Sequence, residues 1–187
     1  MRIFLSILFF AVLVTPGCWA QQNMLKNSDF KSLKKGRPTN WTWISKGAGK
    51  FRLVNENSEN LIEIAVNKQK TKSSPILLSG GWKPETMVKL KSDLPLIGTI
   101  QAKSKLKGKP SYASLGLTFR DKNNRWLGSV SSDSIKLTED WTTISVKALP
   151  STQAHYVQLN AKAGSGTVLF SRPVLKEKDF SLIDTNS

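Results

Sequence analysis

The 187-residue chain has 13 acidic residues, one histidine and one cysteine, and this short stock of reactive groups limits its chemistry. Hydrolysis of a sugar linkage needs two carboxyl groups facing one bond. Asp29, Glu56, Glu59, Glu85, Asp93, Asp121, Asp133, Glu139, Asp140, Glu177, Asp179 and Asp184 fall mostly in stretches that read as turns or tails. Glu63 alone lies inside an alternating apolar run, without an evident acidic partner. Tyr112, Tyr156 and His155 have the chemistry of a base, but no spacing groups them. His155 falls on the inward face of its run, where a packed core histidine belongs. Serines and threonines sit in no nucleophile-elbow motif, and no Gly-rich phosphate loop appears. One histidine and one cysteine exclude a multi-histidine metal site and a cysteine-rich zinc site. The residues point away from catalysis.

Binding chemistry is better supplied. Six tryptophans stand in the chain, and an indole offers a flat apolar face with a polar tip. Trp43 alternates with Trp41, so the two share a face if they share a strand. Trp82 sits between Gly80-Gly81 and Lys83-Pro84, a loop setting, and Trp126 follows the turn Asp121–Arg125. Trp82 and Trp126 are therefore the candidate stacking platforms. The polar positions of the alternating runs add Gln101, Lys103, Thr118, Arg120, Tyr156, Gln158, Asn160 and Lys162. Brought together by neighbouring strands, they would form one concave polar face. An arginine fork matches carboxylate or sulfate oxygens two at a time. The candidate ligand-binding set is Trp82, Trp126, Gln101, Arg120, Tyr156 and Gln158. Lys103, Lys105, Lys107 and Lys109, at every second position, form the densest basic patch.

Strands must position these groups. Phe51–Val54, Leu61–Val66, Thr99–Leu106, Ser114–Arg120, Thr142–Lys147, His155–Lys162 and Gly166–Leu175 alternate apolar with polar residues. Period-two alternation over four to eight residues marks a half-buried strand. Ile100, Leu115, Leu117, Phe119, Ile144, Val146, Val157 and Leu159 take the inward positions. Asp121-Lys122-Asn123-Asn124 supplies a tight turn, and Gly164-Ser165-Gly166 reads as a break between the last two strands. No helical period persists beyond two turns. Many short strands at regular spacing predict an all-β, two-sheet sandwich.

The ends read differently. Met1-Arg2, the apolar run Ile3–Val14 interrupted by Ser6, Pro16-Gly17, and Cys18-Trp19-Ala20 follow the plan of a secretory signal. The run of about twelve residues is short of the roughly twenty that span a bilayer. Cleavage is expected after Ala20. Cys18 has a second reading as the acylated residue of a bacterial lipoprotein, which Gly17 fits and Thr15-Pro16 do not. The expected organisation is a signal over 1–20, one domain over 21–176 and a polar tail over 177–187. The product is expected to be exported, monomeric and without a transmembrane segment. The net charge is +15, and losing Arg2 with the signal leaves +14. Inside a cell that balance would suggest nucleic acid, which is not expected for an exported chain. Outside, the anionic partners are acidic or sulfated polysaccharides, teichoic acids, lipopolysaccharide or membrane phosphates. A solvated basic face that aids solubility is the other reading.

Five segments carry a family resemblance. Asn23-Met-Leu-Lys-Asn27-Ser-Asp29-Phe30, followed by Gly36-Arg-Pro38-Thr-Asn-Trp41, resembles the opening of cellulase-associated (CenC-like) carbohydrate-binding modules. Gly98–Ser104, Leu115–Gly128, Asp140–Val146 and Gly166–Leu175 resemble the motifs that follow, in the same order. The resemblance covers nearly all of residues 23–176, and it implies that Trp41 and Trp141, which fall at family positions, pack in the core. It implies a galactose-binding-domain-like jelly roll and a non-catalytic module that binds polysaccharide, with anionic chains favoured by the charge. Sugars present apolar C–H faces to aromatic rings and hydroxyls to planar polar groups. Two other readings stay open: a structural or partner-binding envelope module with no glycan ligand, and binding to nucleic acid or lipid head groups through charge alone. Such modules commonly hold a structural calcium with an acidic residue of the closing motif. Here Ser171 and Arg172 stand at that place. Calcium takes six to eight oxygens, carboxylates among them, so the departure implies that calcium is lost or weak, with Arg172 placing its own cation near Asp29. No cofactor is expected.

Overall fold

The structure, a computed structural model, describes residues 22–44, 49–66, 76–80, 87–91, 93–108 and 111–178. Among the described residues every regular element is a strand: β1 (Leu33–Lys34), β2 (Arg37–Pro38), β3 (Trp41–Ile44), β4 (Gly49–Glu56), β5 (Glu59–Val66), β6 (Ile76–Gly80), β7 (Val88–Lys89), β8 (Leu96–Ser104), β9 (Ser111–Arg120), β10 (Trp126–Ser131), β11 (Ile135–Leu137), β12 (Thr142–Ala148) and β13 (Tyr156–Glu177). None of these is a helix long and apolar enough to cross a membrane. The apolar opening segment and Trp82 lie outside the described residues.

All pairings among the described residues are antiparallel, and apart from the separate β1–β2 ribbon they build two layers. In the first, β10 and β11 lie along β9, β9 pairs the first half of β13, β6 and β7 follow on its other side, and β3 closes the edge. In the second, the order is β12, β8, the second half of β13, β5 and β4. β13 belongs to both. The segment Gly164-Ser165-Gly166 is therefore no break: the ladder to β9 shifts between Ala163 and Ser165, and Gly166 turns to φ +74. A residue without a Cβ takes that conformation freely. The chain passes from one sheet to the other without leaving the strand.

The alternation read from the sequence sets the packing. Leu115, Leu117, Val157, Leu159 and Ala161 from the first sheet meet Ile62, Ile64, Ile100, Ile144, Val168 and Phe170 from the second, all buried. Sheets packed in this way make a core about 10 Å thick. Gly98 keeps it thin, because a Cβ there would stand 2.6 Å from Leu159 Cδ1. Trp41 and Trp43 do share a face. Trp41 is buried with its ring edge on Phe30, 5.1 Å between centroids, while Trp43 stacks on Phe51 at 3.9 Å and carries Arg37 on its other side. Trp141 departs from the core expectation. It stands just before β12 on the outer face of the second sheet, 39% exposed, with Lys103 Nζ 4.8 Å from its ring.

Two asparagines tie the opening segment down. Asn27 donates from Nδ2 to the carbonyls of Ser32 and Thr39, and its Oδ1 accepts from Ser32 N–H. Its own carbonyl accepts from Trp41 Nε1 at 2.9 Å. Asn23 Oδ1 accepts from the backbone of Leu25 and of Leu175, and Nδ2 donates to the Pro173 carbonyl. The first and last motifs of the resemblance thus meet in space.

Candidate functional site

The first sheet turns a row of side chains outward. The register pairs Trp126 with Arg120, Arg120 with Tyr156, and Tyr156 with Lys89. Directly paired residues point to the same face, so aromatic, cation, aromatic and cation follow one another across four strands. A bulge aims the first of them. The β10–β9 register shifts between Trp126 and Gly128, so Leu127 packs on the core while Trp126 stays on the outer face, 64% exposed. A bulge re-aims a side chain in this way at the cost of local pairing.

Hydrogen bonds hold the row and the one beneath it. Arg120 Nη1 donates to the Asn124 carbonyl at 3.0 Å, and Nε reaches Gln158 Oε1 at 3.4 Å. Trp126 Nε1 donates to Ser129 Oγ at 3.3 Å, and Ser129 Oγ bonds Thr118 Oγ1 at 2.9 Å. Asn160 Nδ2 donates to the same Thr118 oxygen at 2.9 Å. Lys162 Nζ donates to Ser131 Oγ at 2.9 Å across Gly116, where a Cβ would stand 2.9 Å from that oxygen. Fixed polar groups of this kind lose little freedom when a ligand arrives.

The two outer faces differ in charge. No strand of the first sheet carries an Asp or Glu outside the second half of β13, yet Lys89, Arg120, Lys136 and Lys162 stand on them. The strand-borne acids Glu56, Glu59, Glu63 and Glu177 all belong to the second sheet. There Glu56, Glu59 and Glu63 neutralise cations. Glu63, buried, takes Arg52 Nε at 2.7 Å and Lys105 Nζ. Glu56 takes Lys103 at 2.8 Å, and Glu59 takes Arg172 at 2.8 Å with Ser171 Oγ at 2.7 Å. Burial would push the Glu63 carboxyl up, but hydrogen bonds from Arg52 and Lys105 outweigh it and hold it below the ordinary value. The hydrogen bond from Ser171, then that from Arg172, lowers Glu59.

Arg120, Tyr156, Gln158 and Trp126 therefore come together on the first sheet. Gln158 is fully buried and serves there as an anchor for Arg120. Gln101 does not join them. It pairs Thr143 and Ser171 on the outer face of the second sheet, beside Lys103. Of the Lys103–Lys109 patch, Lys103 and Lys105 are on that side too, engaged by Glu56 and Glu63, and Lys109 lies outside the described residues. His155 is half-buried, with its ring edge 4.7 Å from Tyr156. Thr118 and Ser129 form the centre of the network, and Ser129 carried no signal in the sequence beyond its place after a turn.

Ser171 and Arg172, where the resemblance implies an acidic residue, both bond Glu59. Arg172 reaches Glu59, not Asp29, which lies near Lys31 at 3.8 Å. Arg172 sits at φ +47 in a register shift of β13, where Pro173 costs no ladder bond. Its guanidinium occupies both oxygens of Glu59, and among the described residues no three His, Cys, Asp or Glu cluster.

No family model and no curated protein sequence matches the chain. Solved structures do. The enzymatically active domain of bacteriophage CBA120 tailspike protein 4 matches with TM-score 0.60 and 11% identity over 83% of this chain, which spans only 21% of that protein. The CBM22-1 xylan-binding domain of Paenibacillus barcinonensis Xyn10C matches with TM-score 0.56 and 12% identity, over 84% of this chain and 96% of that one. The module TmCBM61, solved with β-1,4-galactotriose, matches with TM-score 0.52 and 15% identity, over 84% and 99%. The chain has the jelly-roll β-sandwich fold of carbohydrate-binding modules.

Proposed function

We propose that this protein is an exported, monomeric, non-catalytic module that binds polysaccharide across the outer face of its first sheet. The observation that carries the reading is the row Trp126–Arg120–Tyr156 on a sheet whose described strands, up to the middle of β13, carry no carboxylate. An exposed indole gives a sugar ring an apolar surface to stack on. Arg120, pinned by Asn124 and Gln158, offers its fork to a carboxylate or sulfate. Thr118, Ser129 and Asn160 offer hydroxyl and amide groups. Anionic chains are favoured because the cations Lys89, Arg120, Lys136 and Lys162 of this face make no salt bridge among the described residues, whereas Arg52, Lys103, Lys105 and Arg172 of the opposite sheet do. The absence of acids on these strands also removes the carboxylate pair that glycoside hydrolysis needs. Cleavage after Ala20 releases residues 21–187, and the Arg172–Glu59 pair takes over the role that a structural cation would otherwise play at the closing strand.

Binding to neutral, uronic and sulfated polysaccharides, compared at low and roughly physiological salt, tests the reading. A selective interaction that persists in part at the higher salt is expected, because ring stacking is not screened while pure charge attraction is. Equal binding to every polyanion that vanishes with salt would reduce the function to charge. Silence throughout would leave a structural or partner-binding module.

A further inference from the structure

The outward row of the first sheet has a repeat of its own. Trp126 pairs Arg120, Arg120 pairs Tyr156 and Tyr156 pairs Lys89, so aromatic and cation alternate across β10, β9, β13 and β7. Neighbouring strands stand about 4.8 Å apart. Two such steps separate Trp126 from Tyr156, and two separate Arg120 from Lys89, roughly 10 Å in each case. An extended pyranose chain advances by about one strand spacing per ring. A chain lying across the strands therefore meets the aromatic faces with every second sugar and the cations with the sugars between. Along the strands no such repeat exists, since Thr118 and Gly116 follow Arg120 on the outward side of β9.

The two kinds of position ask for different sugars. Trp126 is exposed and Tyr156 half-buried, and an aromatic face carries the negative side of its quadrupole. A carboxylate or sulfate set against such a face is repelled, whereas an apolar C–H face is held. Arg120 is fixed by the Asn124 carbonyl and Gln158 Oε1, and neither bond uses Nη2. Asp121, next to Arg120 in the chain, turns Oδ1 to the amides of Asn123 and Arg125. Neither Arg120 nor the exposed Lys89 makes a salt bridge among the described residues.

We infer that the ligand of this face is an alternating polysaccharide, with an acidic group on every second sugar and a neutral sugar between. It crosses the strands of the first sheet, and Lys89 is its second anion contact. This rests on polymer binding at that face and adds the substrate class and the direction of the chain. A neutral chain would leave both cations without an anion. A chain with an acid on every sugar would bring acids against Trp126 and Tyr156.

Calorimetric titration of the purified protein at roughly physiological salt with oligosaccharides of matched length tests it. The probes are hyaluronan and heparosan, in which glucuronate alternates with N-acetylglucosamine, together with polygalacturonate and a neutral cello-oligosaccharide. At least one alternating chain is expected to bind about tenfold more tightly than polygalacturonate or the neutral chain. Charge attraction alone would rank polygalacturonate first, because it carries more charge for its length. Lys89→Ala should weaken the alternating chain about fivefold with Tm unchanged, and Lys89→Arg should restore it. Lys147→Ala, which removes an equal charge from β12 of the second sheet, should leave the affinity unchanged. Polygalacturonate or the neutral chain binding as tightly as the alternating ones, or indifference to Lys89→Ala, overturns the inference. Trp126→Ala then separates it from the reading it rests on: a loss of affinity for the chain that does bind leaves the sheet face standing, and no loss removes that too. Failure of every chain removes both.

Discussion

Replacing Trp126 by alanine isolates the stacking contribution of the sheet face. An indole buries roughly 150–250 Å² when fully covered. Trp126 is 64% exposed, which leaves about 130 Å² open to a ligand. A sugar covers one side of the ring, about half of that, and at roughly 25 cal/mol per Å² the contact stabilises binding by about 1.6 kcal/mol. The expected loss of affinity is therefore roughly 10- to 20-fold. The fold should not suffer. The ring is mostly in solvent, its indole N–H bonds Ser129 Oγ, and Ser129 keeps Thr118. An exposed substitution of this kind shifts stability by about 0.5 kcal/mol or less, or no more than about 2 °C in Tm. Trp126→Phe, which keeps a flat ring, should recover most of the affinity. The assay is calorimetry against the polysaccharide that the unaltered protein binds, with a thermal melt of each variant. An unchanged Kd in Trp126→Ala, with Tm also unchanged, would refute the stacking argument.

Three further outcomes follow from the same geometry. Glu59 and Glu63 are held below the ordinary carboxyl value of 4.5, so their stabilisation is present above that value and lost as the pH falls through their folded values; Tm should fall on acidification, and Glu63→Gln should lower Tm at neutral pH by roughly 3–10 °C and flatten the acid slope, whereas an undiminished slope would contradict the pairing. Asn27 sits at φ +53 with three side-chain hydrogen bonds to backbone, so Asn27→Ala should cost about 2–3 kcal/mol in denaturant melts and Asn27→Gly about 1 kcal/mol less; equal costs would remove the conformational part. Gln101→Ala should leave polysaccharide affinity unchanged, because Gln101 belongs to the opposite sheet; a tenfold loss would place the ligand there instead.

What the sequence makes legible is local. Ile100, Leu117, Val157 and Leu159 are inward as their alternation requires, and Arg120, Tyr156 and Thr118 are outward. Which outward residues share a face is not local. Gln101 and Gln158 carry the same strand pattern, yet β8 and the first half of β13 lie in different sheets. Gly164-Ser165-Gly166 has the composition of a turn, and only the partners on either side decide that the strand continues through it. Trp141 was legible as an aromatic in a family position, but the register that sets Thr142 opposite inward Ala102 turns Trp141 to the outer face, over Lys103. Arg172 finds Glu59 across 113 residues, a pairing that spacing along the chain does not announce. The segregation of acids to one sheet becomes visible only when the strand order is known.

The claim that the outer face of the first sheet is the binding surface is tested most directly by amide and indole NMR. An oligosaccharide of the polysaccharide that binds is added to labelled protein. The account predicts shifts at the Trp126 indole N–H and at the amides of Thr118, Arg120, Ser129 and Tyr156, with Arg52, Glu63 and Gln101 unmoved. Shifts confined to Arg52, Glu63, Gln101 and Trp141, with the Trp126 indole unmoved, would contradict it.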